Sequence, residues 1–193
     1  MDIIEHFKDT GALLDGHFVL SSGLHSPRYL QCALALRVPE HAERFAAMLV
    51  EKLSPLLESE KVGTVAAPAI GGLVIGFATA QILDLPFIWT ERQSGIMTVR
   101  RGFSLTPGER VLVVEDVITT GGSTRECIAA LEENGAKVVA AASIIDRSNG
   151  IADVGVPRVS LLEMDAKSYP PHECPLCAEG IEAIKPGSRA IQR

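Results

Sequence analysis

Glu115 and Asp116 stand side by side, and shortly after them comes a run of hydroxyls and glycines, Thr119-Thr120-Gly121-Gly122-Ser123-Thr124. Adjacent carboxylates can accept hydrogen bonds from a pair of hydroxyl groups and stabilise positive charge developing nearby. A glycine-and-hydroxyl bend that opens a helix can aim several backbone N–H groups at one phosphate, helped by the helix dipole. Other nucleotide-binding loops are spelled differently: one needs a Lys before its Ser/Thr and another needs GxGxxG, and this stretch has neither. The combination points to a phosphorylated sugar. Glu115 and Asp116 would take ribose hydroxyls, Thr119, Thr120, Gly121, Gly122 and Ser123 would hold the 5′-phosphate, and Val117 and Ile118 would also meet the sugar. An ordinary strand-turn-helix joint accounts for the glycines but leaves both acids unexplained.

These residues need a scaffold, and the surrounding pattern supplies one. Val111 to Val114 is an unbroken apolar run, which reads as a strand buried on both faces. Ligands of open α/β sheets bind beyond the carboxyl ends of such strands. Arg125 to Asn134 is amphipathic and reads as the helix that follows. Further strands are expected over Val62–Ala67, Pro86–Thr90, Val138–Ile145 and Val159–Ala166, with helices over Pro39–Leu57 and Leu73–Leu83 between them. Strands alternating with helices at this spacing predict an α/β fold with a doubly wound parallel sheet. Ahead of it, Met1 to Thr10 reads as a short helix, and Leu13 to Leu20 as a hairpin turning at Asp15-Gly16. Glu91 to Leu105 has few core signals, two glycines and the cations Arg92, Arg100 and Arg101, and reads as a mobile loop.

The stretch from the apolar strand through the acid pair to the Thr/Gly loop resembles the phosphoribosyl-diphosphate motif of type I phosphoribosyltransferases. Its spelling, EDVITTGGS, is similar to that of the orotate phosphoribosyltransferases, and Ser21 to Leu30 resembles their N-terminal hood. The resemblance spans about Leu20 to Gly150. It implies transfer of the phosphoribosyl group from 5-phosphoribosyl 1-diphosphate to orotate, giving orotidine 5′-monophosphate and diphosphate. It also implies Mg²⁺ as cofactor and a homodimer. By the same likeness Tyr29, Leu30, Thr119 and Arg147 fall where the family meets orotate, Arg147 as a bidentate partner for its carboxylate. Gly71, in the turn Pro68-Ala69-Ile70-Gly71-Gly72, falls where backbone amides grip the diphosphate. Arg92, Arg100 and Arg101 fall on the loop that closes over it. The chain departs from the family's commoner pattern at four places. Ser21 replaces a Lys, Ile70-Gly71 replaces Tyr-Lys, Glu91 replaces an Arg, and the closing loop carries arginines instead of Lys and His. A purine or xanthine phosphoribosyltransferase, or a non-catalytic effector-sensing module on the same fold, are the alternatives.

Composition narrows the rest. At 193 residues the chain fits one domain, 1–193, with hood elements over about 1–35 and a C-terminal tail packed on the core. A hydrophobic content of 47% against 22% charged is globular rather than disordered, and a net charge of −6 argues against a nucleic-acid partner. Val62 to Leu83 carries no charge and approaches the length of a membrane span, but Pro68 and Gly71-Gly72 break it, so no membrane partner is expected. The N-terminus lacks the basic start and apolar core of an export leader, and four scattered cysteines suit a reducing cytoplasm. Cys174-x-x-Cys177 beside His172 has zinc-like spacing. A closed site needs four ligands, however, and Cys32 and Cys127 are far off in sequence. The pair therefore reads as packed or redox-idle in an irregular tail, and no metal-holding set of side chains is expected.

Overall fold

The computed structural model describes residues 2–20, 23–164 and 167–186. Its elements in order are α1 (Ile3–Asp9), β1 (Leu13–Val19), β2 (His25–Leu30), α2 (Cys32–Leu36), α3 (Pro39–Glu60), β3 (Thr64–Pro68), α4 (Gly72–Leu83) and β4 (Phe87–Gln93). There follow β5 (Ile96–Val99), β6 (Arg110–Ile118), α5 (Gly122–Glu133), β7 (Lys137–Asp146), β8 (Arg158–Glu163) and α6 (Pro175–Ala178). The chain divides into two compact units, Leu36–Met164 and the pair of segments Met1–Ala35 and Asp165–Arg193.

The larger unit is built on a six-stranded sheet ordered β5-β4-β3-β6-β7-β8. β3, β4, β6, β7 and β8 run parallel, and β5 alone is antiparallel, paired with β4. From the adjacent central strands the chain winds outward both ways, β3 to β4 on one side and β6 to β7 on the other. Right-handed crossovers then put α4 and α5 on opposite faces. Both faces of β6 are therefore covered. Val111, Leu112, Val113 and Val114 have no exposed surface at all, which explains why the strand reads as a continuous apolar run rather than an alternating one. Val111 and Val113 pack into a cluster with Cys127, Ile128 and Leu131 of α5. α3 begins with Pro39 in its first turn, where a missing N–H does no harm, and buries Ala42, Phe45, Ala46, Leu49 and Leu53 along one stripe. The uncharged stretch Val62 to Leu83 is strand β3, a glycine turn and helix α4; among the described residues no helix is long and apolar enough to cross a membrane.

The smaller unit differs from the sequence reading at its centre. Asp15-Gly16 is no hairpin turn. It lies inside β1, where the register with β2 slips between Asp15 and Phe18, a bulge rather than a reversal. β1 and β2 pair antiparallel beyond it, with Val19 opposite His25 and Leu20 N–H donating to Leu24 C=O at 2.8 Å. The C-terminal segment is not irregular either. Tyr169 exchanges two backbone bonds of 2.8 Å with His25, and Ile184 is bonded at 2.8 Å to both Val19 and His17, so the segment pairs with both hairpin strands. Between those anchors a 3-10 turn, Pro171–Glu173, leads into α6. Proline is tolerated there because it occupies the first helical positions, where no N–H is required.

Candidate active site

Three loops leave the carboxyl ends of β3, β6 and β7, and the sequence-derived candidates in the larger unit fall on them, on the last residues of β6, or on the β4–β5 hairpin and the turn after it. Strand alternation separates the two acids. Glu115 faces the α5 side and is only 6% exposed, opposite Ser143 of β7. Its charge adds to burial in pushing the Cys127 thiol up to about 12. Asp116 faces the α4 side. There it meets the backbone of the β3–α4 turn so closely that a Cβ built on Gly71 would lie 2.5 Å from its Oδ1 and 2.9 Å from its Cγ. Gly71 is thus required by close approach, not by backbone freedom: its φ of −57° is open to any residue. Gly72, next in line, would put a Cβ 2.8 Å from Val114 C=O. The β3–α4 turn and Asp116 form one surface at the point where the sheet changes winding direction, the usual ligand crevice of such folds.

The acids carry an unusual burden of burial. Desolvation first, and then the neighbouring Asp116 charge, raise Glu115 to about 9, so at neutral pH it holds its proton. Asp116 is also raised, again chiefly by burial, although its Oδ1 accepts a 2.9 Å bond from Val117 N–H. Two buried acids with raised affinity for protons form a site that attracts a cation or a set of hydroxyl donors.

Beyond them the cradle is made almost wholly of main chain. Val117 through Thr124 line a small open pocket of about 80 Å³. Gly121 sits at φ 75°, and a Cβ there would also strike Val154 Cγ1 at 2.9 Å, so both conformation and space demand glycine. Gly121 offers α5 no side-chain cap, and Gly122 N–H reaches only Thr120 Oγ1, at a long 3.4 Å, beside the pocket. Arg125 holds the bend open: its Nη1 donates to Thr120 C=O at 3.0 Å and to Asp153 C=O at 2.5 Å. Sequence reading placed Arg125 merely on an amphipathic helix; its spacing from Thr120 was the signal available.

Arg147 follows β7 directly, and its N–H donates to Ile118 C=O at 2.7 Å, which sets it beside the start of the cradle. Its neighbour Asp146, fully buried, is engaged by Arg158 Nη1 at 2.7 Å and by Ser148 and Gly150. The span Glu91 to Leu105 is a correction to the loop expectation: β4 continues to Gln93 and β5 pairs back on it. Its three arginines are occupied by glutamates. Arg101 binds Glu91 through two bonds of 2.8 and 2.9 Å, Arg100 approaches Glu91 at 3.4 Å, and Arg92 pairs with Glu126 of α5. The hydrogen bond from Arg101 holds Glu91 below the usual carboxylate range. Tyr29 and Leu30 lie on β2 of the smaller unit, Tyr29 with its hydroxyl on Gln31 at 2.8 Å, and Ser21 is outside the described residues.

Residues 39–168 match the family model described as the phosphoribosyl transferase domain. Orotate phosphoribosyltransferases of Thermotoga maritima and Pelotomaculum thermopropionicum are 50% and 47% identical to this chain over 190 residues, covering 98% of it and 100% and 98% of their own lengths. This chain belongs to the orotate phosphoribosyltransferase family. Among solved structures, the orotate phosphoribosyltransferase of Aeropyrum pernix matches with a TM-score of 0.68 at 30% identity, over 82% of this chain and 92% of that one. That of Mycobacterium tuberculosis in complex with inorganic phosphate, at 22% identity and a TM-score of 0.61 over 83% of this chain and 94% of that one, shares the fold. In this phosphoribosyltransferase the doubly wound sheet inferred from the sequence is present, and Val117 to Ser123 line one pocket.

Proposed function

We propose that this chain transfers the phosphoribosyl group of 5-phosphoribosyl 1-diphosphate to orotate, releasing diphosphate and orotidine 5′-monophosphate on the way to UMP. The observation that carries the reading is the close approach of Asp116 to Gly71, which sets an acid at the start of the Val117–Thr124 pocket against the β3–α4 turn. A ring nitrogen of orotate displaces diphosphate at the anomeric carbon while positive charge builds on the ribose, so no nucleophilic side chain is needed. Thr119 to Ser123 bind the 5′-phosphate with backbone amides. Asp116 and Glu115 accept or share hydrogen bonds with the ribose hydroxyls, and the developing positive charge favours their ionised forms. Amides of the turn at Gly71 hold the departing diphosphate, the electrostatic contribution that usually dominates such reactions. Arg147 binds the orotate carboxylate. For Tyr29 and Leu30 the family likeness alone supports a role at the ring.

Mg²⁺ suits this site. Burial raises both acids, and the Asp116 charge raises Glu115 further, a condition that a nearby cation relieves. Asp116 and Glu115 would approach the ion through ribose oxygens and water, since Mg²⁺ keeps much of its own shell. When bound, the ion neutralises diphosphate charge. Arg92, Arg100 and Arg101 close over the diphosphate by exchanging Glu91 and Glu126 for it. Ion pairs of arginines so open to solvent are weak and readily traded. The reading extends to a cytoplasmic homodimer, on the family's habit of sharing this arginine-bearing segment between two copies.

Loss of orotate absorbance on mixing the protein with orotate, 5-phosphoribosyl 1-diphosphate and Mg²⁺ tests the assignment. Turnover with orotate, and none with adenine, hypoxanthine or xanthine, is expected; turnover with a purine alone would reassign the base, and none with any base would remove the activity.

A further inference from the structure

The smaller unit holds a second constellation, which the transfer reaction does not use. His17 of β1, His25 of β2, and Cys174 and Cys177 at the start and within α6 each turn a ligand atom toward a common centre, and those atoms all lie within 4.8 Å of one another. His17 Nε2 is 2.8 Å from His25 Nδ1, 3.4 Å from Cys174 Sγ and 3.7 Å from Cys177 Sγ, and Cys177 Sγ is 3.2 Å from His25 Nδ1.

Hydrogen bonding alone gives a poor account of this crowding. His17 Nδ1 lies 2.7 Å from Ile181 C=O, and a carbonyl can only accept, so the ring proton sits on Nδ1. Nε2 is left with a single lone pair, yet an imidazole nitrogen and two sulfurs converge on it. One acceptor cannot serve three neighbours, whereas one cation serves all four at once. The spacing agrees. Four ligands placed tetrahedrally at the usual zinc–nitrogen and zinc–sulfur lengths are separated by about 3.3 Å between nitrogens and about 3.5 Å between nitrogen and sulfur. The imidazoles need part by only about 0.5 Å to admit the ion. The bond from Ile181 to the back of His17 is the usual device that fixes the tautomer of a liganding histidine.

The surrounding architecture supplies a reason for such a staple. Among the described residues of this unit, Phe7, Leu13 and Phe18 are the only large buried apolar side chains. Small assemblies with so little core are commonly held by disulfides or a metal. The four ligands come from three separate segments, and His17 and Cys174 are each 3% exposed.

We propose that His17, His25, Cys174 and Cys177 form a closed structural site for one Zn²⁺, which ties β1 and β2 to the C-terminal segment. Two nitrogen and two sulfur ligands in tetrahedral array select zinc, and with four protein ligands no position remains for water, so the site is not catalytic. On binding, both thiol protons pass to solvent and His25 keeps its ring proton on Nε2. The site stands independently of the transferase reading.

Metal analysis of the untagged full chain, purified without added metal, is expected to give one zinc per chain, with Cys174 and Cys177 slow to react with a thiol reagent until the zinc is chelated. Protein stripped of metal and titrated with Co²⁺ should develop the intense visible bands of a tetrahedral site together with a thiolate-to-cobalt charge-transfer band. Cys177→Ser should weaken that band, and His25→Ala should shift the visible spectrum. If either variant fails to fold, the wild-type cobalt spectrum decides by itself. A chain isolated without zinc whose cobalt spectrum lacks the charge-transfer band, or one with a Cys174–Cys177 disulfide, would overturn the proposal.

Discussion

The phosphate cradle is made of neighbours: Thr119 to Thr124 are consecutive, and one turn of main chain brings their amides to a single pocket. The histidine–cysteine cluster is made of strangers, with His17 and Cys177 separated by 160 positions and joined only because the last segment pairs with both hairpin strands. The first site depends on backbone conformation, so glycine is its critical residue. The second depends on side-chain identity, so any one of four substitutions dismantles it. Local sites can survive loosening of the fold around them; assembled ones fail with it.

That contrast can be tested in descending order of effect. Asp116→Asn should lower kcat at least tenfold with the circular dichroism spectrum unchanged, a loss of about 1.4 kcal/mol or more of transition-state stabilisation. Unaltered steady-state kinetics would detach the acid pair from the reaction. Gly71→Ala should come next, raising the KM for the sugar donor severalfold, because the added methyl must displace the Asp116 carboxylate; equal kinetics would mean that the turn yields freely. Arg147→Ala is expected to raise the orotate KM well above any change in the donor KM, and parallel changes in both would exclude it from the base.

The smallest effect concerns pH. Glu115 takes up protons more readily folded than unfolded, so its contribution to stability is fully present below about pH 4.5 and is lost as pH rises through about 9. Thermal melts of the ligand-free protein should fall across that window, and the slope should flatten in Glu115→Gln. A slope unchanged by the substitution would place the titration elsewhere.

Much of the larger unit was legible because its signals are short-range. Val111 to Val114 announced a doubly covered strand, Gly121 marked a bend, and the acid pair lay next to the loop that follows it. The same reasoning failed where the outcome depends on distant partners. Asp15-Gly16 carries the strongest local turn signal, yet pairing with β2 absorbs it as a bulge. The segment after Glu91 looked empty of core residues, and pairing with β4 made Ile96 to Val99 a strand. Cys174 and Cys177 stand far along the chain from the other cysteines, and His17 and His25 reach them only through strand pairing. The contact between Gly71 and Asp116 was likewise invisible, since nothing in either loop names the other.

That contact has a further implication. The carboxylate and the turn are so close that neither can move toward the other without pushing it, so the ends of the crevice proposed for the leaving group and for the ribose are mechanically linked. The amide of Gly71 is therefore a natural probe: its NMR resonance should move when a sugar phosphate reaches Asp116, before any diphosphate touches the turn itself.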